Sequence, residues 1–268
     1  MSSVLVVGRG FIGSAVAAAL GPEQARLVGH DAIGDADLLQ GIATVLYAGR
    51  DPALATEGWR LEADLELALA RRAAIGHQAF VTLGTRKIYA PAHRPLSETD
   101  RVGPVDRYGQ QKLELEHALL ALLGPRLTRL RLGNIFGFES MAGRGTFMAV
   151  MLAGLARRDE IRFDVSPFVH RDFLPIEFCA AWLAELARHP PGGVLNVGSG
   201  VPLALGRLAL WLIEGYGRGR LVIDRPEERD AFVLDTRSLK GLLAGAACSE
   251  SDLRASCQAI GRRLRRQP

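Results

Sequence analysis

The sequence has little cysteine and no long apolar run. Its three cysteines, Cys179, Cys248 and Cys257, include no close pair, and its six histidines show no metal-ligand spacing. This pattern excludes a disulfide framework and a zinc site, so we expect no metal and a reducing, cytoplasmic location. No apolar run reaches the roughly 18 residues that span a bilayer. The start, MSSVLVVGRGFIGS, lacks the basic region and cleavage site of a secretory signal, so no membrane partner is expected.

Lysine is also scarce. Of the 33 Lys and Arg residues, three are lysines, Lys87, Lys112 and Lys240, and the net charge is +4. Part of this charge lies in GRRLRRQP at the end of the chain, which is either a nucleic-acid arm or the solvated end of a helix. We favour the helix end and expect no nucleic-acid partner. The 48% hydrophobic and 23% charged composition is that of a globular protein, and scattered arginines suit an anionic small substrate.

Short apolar runs alternate with helical stretches along the first half of the chain. Five runs have the composition of buried parallel strands: SVLVVG, ARLVGHD, IATVLYAG, HQAFVTLG and LTRLRLGNIFG. The stretches FIGSAVAAALG, LEADLELALARRAA and YGQQKLELEHALLALLG have helical spacing. This alternation predicts an α/β fold with a doubly wound parallel sheet. From about Gly137 the pattern is mixed and rich in Gly and Pro, which predicts a smaller lobe beside the sheet.

The first predicted strand leads into a glycine-rich turn that opens a helix. Glycines let the backbone approach a pyrophosphate, and the helix N-terminus offers free N–H groups, so the turn predicts a dinucleotide site. Asp31, at the end of the second predicted strand, is placed to bind an adenosine ribose and favours NAD. Arg9 and His30 also permit NADP. The turn consists of Gly8, Arg9, Gly10, Phe11, Ile12 and Gly13.

Tyr108 and Lys112 lie four residues apart in RYGQQKLELE, so they share one face of a predicted helix. A cation near a phenol stabilises the phenolate. Such a tyrosine can exchange a proton with a sugar hydroxyl or carbonyl while hydride moves to or from a nicotinamide. The compact ammonium of lysine can also bind ribose hydroxyls, a geometry that the arginine fork does not match. The alternative is a surface pair without a role.

Several segments, in chain order, resemble motifs of the extended short-chain dehydrogenase/reductase family: the NAD-dependent epimerases, dehydratases and reductases of nucleotide sugars. GFIGS resembles its cofactor loop, GTRKIYA its Ser/Thr-x-x-hydrophobic-Tyr segment, and YGQQK its Tyr-x-x-x-Lys motif. RLGNIFG and HRDFLPIEFCAAWL resemble its substrate-site segments, and LNVGSG and DRPEERDAFVLDTRSLKGLL resemble its C-terminal lobe. The likeness covers nearly the whole chain. It implies a Rossmann-type sheet with a small C-terminal substrate-binding lobe.

The resemblance also implies roles for single residues. Tyr108 would be the general acid/base, Lys112 would hold the nicotinamide ribose, and Thr85 would hydrogen-bond the reacting oxygen. The implied cofactor is NAD, bound by the glycine turn together with Asp31, Ala48, Gly49 and Lys112. The implied ligands of the nucleotide-sugar substrate are Asn134, Arg171 and Arg225, with the two arginines as candidate diphosphate ligands.

The sequence departs from the family pattern near the cofactor. The family has G-x-x-G-x-x-G, but its first glycine falls on Val7, and Gly8 stands one place later. About 15 residues separate Asp31 from YAG, where the family fits another helix and strand. We therefore expect a sheet one strand shorter than the family norm.

The residues after Thr85 bear on the reaction. Arg86 and Lys87 stand where the 4,6-dehydratases of the family have Asp-Glu, and two cations cannot supply the acid and base of dehydration at neutral pH. We therefore disfavour dehydration, which leaves epimerisation or reduction of a keto-sugar. The compact first half and ETD with YGQQKLELE resemble dTDP-4-dehydrorhamnose reductases, whereas Asp31, RDF and NVGSG resemble the epimerases. Val7 and the short segment also allow a non-catalytic dinucleotide-binding scaffold.

Two interleaved domains are expected. Residues 1–136, with parts of 137–200, would form the dinucleotide-binding domain, and residues 137–268 a mixed substrate-binding lobe. The family resemblance implies a homodimer formed through the Tyr108 helix and the helix before it. The apolar stripe in LELEHALLALL permits this dimer but would serve core packing equally well.

Overall fold

The computed structural model describes residues 3–138 and 146–267. The strands are β1 (Ser3–Val7), β2 (Ala25–Val28), β3 (Ile42–Tyr47), β4 (Ala79–Thr85), β5 (Leu127–Leu132), β6 (Asn134–Phe136), β7 (Glu160–Phe163), β8 (His170–Pro175), β9 (Gly193–Val197), β10 (Pro202–Ala204) and β11 (Arg220–Ile223). The helices are α1 (Phe11–Leu20), α2 (Leu65–Ile75), α3 (Arg107–Leu123), α4 (Phe147–Arg158), α5 (Ile176–Arg188), α6 (Leu205–Tyr216), α7 (Arg237–Leu242) and α8 (Glu250–Arg265).

Six parallel strands form the central sheet, in the order β2-β1-β3-β4-β5-β9. Successive residues of a strand point to opposite faces of the sheet. In β1, Val4 and Val6 accordingly belong to one apolar core, and Leu5 and Val7 to a second. Helices α1 and α5 cover the first face, while α2 and α3 cover the second. The prediction of a doubly wound parallel α/β sheet is confirmed.

Two boundaries differ from the sequence-based expectation. The run LNVGSG was expected in the C-terminal lobe, but Gly193–Val197 pairs with β5 as the outer strand of the central sheet. The run LTRLRLGNIFG was expected as one strand, but it divides at Gly133, and Asn134–Phe136 pairs with β8 in a separate sheet. Periodicity shows that a run is extended and says nothing about its pairing partner, so neither difference was visible locally.

The connection between β2 and β3 is short. β2 ends at Val28, and Asp31 lies beyond it in a 3-10 turn over His30–Gly34 rather than at the strand end. Within this connection the chain forms turns and adds no further α-helix or strand. The guanidinium of Arg72 on α2 donates to three main-chain carbonyls of the connection. One arginine therefore holds in place the segment that covers this part of the sheet. The carbonyls are those of Ile33, Asp35 and Ala36.

The second half of the chain adds two smaller sheets, ordered β10-β8-β6 and β11-β7. Helices α6 and α8 pack against each other through backbone close enough that a Cβ at Gly215 or Gly261 would collide with the facing helix. The basic end of α8 is exposed apart from Leu264, as expected for a solvated helix end. No helix in the described ranges is long and apolar enough to cross a membrane.

Candidate active site

Tyr108 and Lys112 lie in the first two turns of α3. Asp106 caps this helix: its carboxylate accepts a hydrogen bond from the Gly109 amide at 2.7 Å. Tyr108 is half-buried, and Lys112, one turn later, is buried with 7% of its surface exposed. The helical spacing expected from the sequence therefore holds, and it places both side chains on one face of α3.

Thr85 is the last residue of β4, and its hydroxyl accepts a hydrogen bond from the Lys87 amide at 3.2 Å. The 3-10 turn that follows, Arg86–Ile88, lies against the start of α3. The contact is close: a Cβ at Gly109 would lie 2.4 Å from the Lys87 carbonyl oxygen. The glycine between Tyr108 and Lys112 thus allows the turn after Thr85 to touch the helix that carries the tyrosine.

Thr85 and Tyr108 line one cavity of about 300 Å³. Asn134 also lines it, because the chain turns out of the central sheet at Gly133 and begins β6 there. The structure therefore brings together three residues that lie 49 positions apart from first to last in the chain. The other residues around this cavity are Ile12, Gly84, Leu132, Gly133, Ile135, Phe136, Thr146, Phe147, Met148 and Phe173.

A second cavity, of about 410 Å³, adjoins the glycine turn and shares Ile12, Ile135 and Thr146 with the first. Its wall contains most of the predicted cofactor residues: Gly8, Arg9, Gly10, Phe11, Ile12, Ala48 and Gly49. Gly29, His30 and Arg50 complete this side. Asp31 is not on the wall, but its carboxylate lies against Gly29, where an added Cβ would stand 2.2 Å from Oδ1.

The glycines keep this second cavity open. Gly8 has a φ of +116°, and a Cβ there would lie 2.6 Å from the Gly49 amide nitrogen. A Cβ at Gly13 would lie 2.0 Å from the Gly8 carbonyl oxygen, so Gly13 allows α1 to begin directly behind the turn. Val7 is the buried last residue of β1. The backbone therefore fits a pyrophosphate cradle that starts at Gly8, one residue later than in the family pattern.

Lys112 has a buried carboxylate as its partner. Its Nζ lies 3.5 Å from Oε2 of Glu66, which is in the first turn of α2 and 2% exposed. Burial is the largest single influence and lowers the pKa of Lys112, but Glu66, Tyr108 and Asp64 together outweigh it, so the pKa is raised. Sequence reasoning missed Glu66. The helical spacing could have revealed that Glu66 is buried, because it shares one face of α2 with Leu69, Ala70 and Ala73, which face the core.

Arg50 is a second residue that the sequence did not reveal. It follows YAG directly, and its guanidinium lies over the Tyr108 ring, 5.5 Å from the ring centre. It also donates to the Leu54 carbonyl at 2.9 Å and lines the cavity of the glycine turn. Arg50 therefore contacts both the tyrosine and the predicted cofactor side.

A third cavity, of about 650 Å³, lies beyond the turn that follows Thr85. Arg86 and Asp230 line it, and the Asp230 carboxylate binds both Arg86 and Arg171, although Arg171 is not on the cavity wall. Arg86 also stacks on the Phe232 ring at 3.8 Å. The two guanidinium groups are poorly exposed, at 14% and 12% of the side chain. Arg171 thus shares a carboxylate with Arg86, a cation that the sequence had not assigned to binding.

Arg225 lies in the exposed segment after β11 and, among the described residues, is not on the wall of this third cavity. From the same segment, Glu228, Arg229 and Asp230 line it. Across the described part of the chain, no group of three or more His, Cys, Asp or Glu side chains is arranged to hold a metal ion.

The chain matches a family model described as the NAD dependent epimerase/dehydratase family over residues 53–198. No curated protein sequence matches it. Among solved structures, MoeE5 in complex with UDP-glucose and NAD is similar, with a TM-score of 0.80 and 21% identity over 98% of this chain and 99% of MoeE5.

Two further structures have the same fold. The UDP-glucose 4-epimerase from Thermotoga maritima, with UDP-glucose, has a TM-score of 0.80 and 19% identity over 98% of this chain and 99% of its own. TunA, an NAD dependent NDP-hexosamine 5,6-dehydratase involved in tunicamycin biosynthesis, has a TM-score of 0.81 and 17% identity over 100% and 99%.

Proposed function

This chain belongs to the NAD dependent epimerase/dehydratase family, and on that premise we propose that it transfers hydride between a nicotinamide cofactor and the sugar of a nucleotide-activated sugar. One observation carries the proposal. Thr85 and Tyr108 line the same cavity, and that cavity adjoins the one around the glycine turn. This arrangement supports Tyr108 as the proton-transferring phenol, because the chemistry requires such a group next to the hydride carrier.

The cofactor would be held by the glycine turn on one side and by Ala48 and Gly49 on the other. The narrow gap between Gly8 and Gly49 leaves no room for side chains, which fits a pyrophosphate bound by main-chain amides. Asp31, beside Gly29, favours the ribose hydroxyls of NAD, whereas Arg9 and His30 keep NADP as an alternative. When bound, the nicotinamide would accept a hydride from a sugar carbon and return it.

The chain's own residues would manage the proton. Tyr108 would take the proton from the sugar hydroxyl as hydride leaves, and would give it back when the carbonyl is reduced. Thr85 would hydrogen-bond the same oxygen and hold it at the phenol. Lys112 would bind the cofactor ribose, since Glu66 engages one side of an ammonium that has three N–H donors.

The substrate would extend from the first cavity towards the third. Asn134 would contact the sugar or its phosphate, and Arg171 would bind the diphosphate. MoeE5 and the Thermotoga maritima epimerase bind UDP-glucose, which supports a nucleotide sugar as the substrate class. Arg225, in the exposed segment after β11, remains a predicted ligand of the diphosphate.

Epimerisation or reduction is favoured over dehydration. Arg86 and Lys87 follow Thr85, and both are ion-paired, with Asp230 and Asp106 respectively. Neither is a carboxyl group that could protonate a leaving hydroxyl. TunA is a dehydratase of the same fold, so the fold itself does not decide the reaction. The two remaining reactions differ in cofactor use: epimerisation leaves the amount of NAD unchanged, whereas reduction consumes NAD(P)H.

A panel of UDP-, dTDP- and GDP-sugars, supplied with NAD, NADH or NADPH, tests the proposal. The wild type should convert at least one sugar, and nicotinamide absorbance then separates the two reactions. Tyr108→Phe should lower turnover by about 10² to 10⁴-fold. Tyr216→Phe, a buried tyrosine on α6, is the matched control and should leave turnover unchanged. Full turnover in Tyr108→Phe would contradict the proposal, and cofactor binding without any turnover would favour a dinucleotide-binding scaffold.

A further inference from the structure

Three separate elements meet at the carboxylate of Glu66. Lys112 is on α3, Glu66 is in the first turn of α2, and Thr82 is on β4. Nζ of Lys112 lies 3.5 Å from Oε2 of Glu66, and the Thr82 hydroxyl donates to Oε1 of the same carboxylate. Lys112, Glu66 and Thr82 are 7%, 2% and 3% exposed, so water does not screen this contact.

Glu66 differs from the two carboxylates near it. Asp51 accepts main-chain amides of Ala53 and Leu65, and Asp64 caps α2. Both therefore satisfy local backbone donors. For Glu66, the partners within the described residues are the Thr82 hydroxyl and the Lys112 ammonium. A buried carboxylate is costly unless a charge and hydrogen bonds compensate it, so this one requires Lys112.

Lys112 depends on Glu66 in turn. Burial raises the pKa of the Glu66 carboxyl, and the lysine charge opposes that rise. Burial lowers the pKa of Lys112, and Glu66, with smaller contributions from Tyr108 and Asp64, reverses the direction. The other charged or titratable groups that face the pair are Tyr108 on α3, Asp64 at the start of α2 and Tyr47 on β3. Of all the groups that favour the protonated lysine, Glu66 has the largest effect.

We propose that Glu66 is a positioning residue for the reaction: its carboxylate holds the Lys112 ammonium charged and directed towards the cofactor ribose. This inference rests on the proposed function for the identity of the ligand. Glu66 engages one side of the ammonium, so two N–H donors remain for ribose hydroxyls. A glutamine at position 66 would still accept the Thr82 hydroxyl but would leave the lysine without its counter-charge.

The pH dependence of NAD affinity tests the proposal in the full chain. Glu66→Gln removes the largest influence that opposes burial at Lys112, so its pKa should fall and the neutral form should appear at lower pH. NAD affinity measured by calorimetry should then fall by about tenfold between pH 7 and pH 9 in the variant, and stay nearly constant in the wild type. Affinity that follows the wild-type profile in Glu66→Gln would overturn the proposal.

Unfolding by urea, without any cofactor, gives a second readout. In Glu66→Gln the folded-state pKa of Lys112 should lie below its unfolded value, so the stability of this variant should rise with pH between the two values. The stability deficit of the variant should therefore shrink from pH 7 to pH 9.5. If wild type and variant alike fail to bind NAD, the proposed function fails, and this measurement still decides the Glu66–Lys112 pairing.

Glu116→Gln is the matched control. Glu116 is also buried, at 5% exposed, and pairs with Arg131 at 2.6 Å, one turn after Lys112 on the same face of α3. Arginine does not deprotonate in this range, so the stability deficit of Glu116→Gln should not shrink with pH, and the pH profile of NAD binding should match the wild type.

Should Glu66→Gln fold poorly, the double variant Glu66→Gln/Lys112→Met should recover stability relative to it. A deficit in Glu66→Gln that is as independent of pH as that of Glu116→Gln would refute the pairing.

Discussion

Nζ of Lys87 lies 2.5 Å from Oδ2 of Asp106, and this ion pair joins the turn after Thr85 to the cap of the tyrosine helix. The two side chains are 39% and 40% exposed, so the ion pair itself contributes little to stability. The cap matters more, because the Asp106 carboxylate also accepts the Gly109 amide at 2.7 Å. The position of the tyrosine, in the first turn of α3, therefore depends chiefly on this cap.

Substitution of Asp106 separates the two contributions. Asp106→Ala should lower the unfolding free energy by about 1 kcal/mol and reduce turnover severalfold, because the first turn loses its cap. Asp106→Ser keeps a capping hydroxyl and loses the ion pair, so it should stay close to the wild type in both respects. Urea unfolding and steady-state kinetics measure the effects. Equal impairment in the two variants would show that the ion pair, and not the cap, positions the helix.

Lys112→Arg should lose most activity although it keeps the charge. The lysine is buried, and the larger planar guanidinium cannot occupy the place of an ammonium 3.5 Å from Glu66. Lys240→Arg, an exposed lysine on α7, is the control and should be fully active. Turnover and NAD affinity are the measurements. Near-wild-type values for Lys112→Arg would mean that charge alone suffices at this position.

Asp230→Asn should strengthen the binding of UDP, by roughly three- to tenfold. The Asp230 carboxylate bridges Arg86 and Arg171, so it competes with a substrate anion for the same guanidinium groups. Its φ is +60°, a conformation that asparagine also tolerates, so the substitution adds no backbone strain.

Asp224→Asn is the control for Asp230→Asn. Asp224 is similarly exposed, at 44% against 41%, and pairs with Arg162 on β7. Its substitution should leave UDP affinity unchanged in a calorimetric titration. Weaker UDP binding in Asp230→Asn would show instead that this carboxylate orders the arginines for the substrate.

Gly8→Ala should abolish cofactor binding. Gly8 combines a φ of +116° with a Cβ position 2.6 Å from the Gly49 amide nitrogen, so the alanine strains the backbone and forces the two cofactor loops apart. Gly41→Ala is the control, because Gly41 also has a positive φ of +70° but faces open space. It should cost about 1 kcal/mol of stability and leave NAD affinity intact. NAD binding retained in Gly8→Ala would rule out this turn as the pyrophosphate site.

Asp172→Asn should destabilise the fold by about 2–4 kcal/mol. Asp172 is fully buried, and its two oxygens accept hydrogen bonds from Ser199, Gly200 and Leu234, which a single amide oxygen cannot all replace. Burial raises the pKa of Asp172 to about 6. A carboxyl whose folded pKa is raised favours the folded state at low pH and loses this contribution as pH rises through 6. The loss of unfolding free energy in Asp172→Asn, measured with urea, should therefore be larger at pH 4 than at pH 8. A loss that grows with pH would contradict the raised pKa of Asp172.

Local sequence signals were sufficient for the central sheet and for much of the site. The β-branched run of β1, the glycines at 8, 10 and 13, and the Tyr108–Lys112 spacing each depend on residues close together in the chain. The segment between Asp31 and YAG was expected to be too short for another helix and strand, and in the structure it forms turns. In these segments, neighbouring residues and the length of the connection restrict the backbone conformation. The local sequence therefore determined their structure.

Tertiary structure decided which distant residues became partners. Glu66 and Lys112 are 46 positions apart, and each alone reads as an ordinary helical residue. Gly193–Val197 completes the central sheet because β5 offers an unpaired edge, and Asp230 reaches Arg86 because the segment after β11 folds back over the turn that follows Thr85. Burial makes such contacts strong, and burial is a property of the packed molecule. The sequence therefore determined the residues that can do the chemistry, and the packing of α2, α3 and β4 decided the charges that surround them.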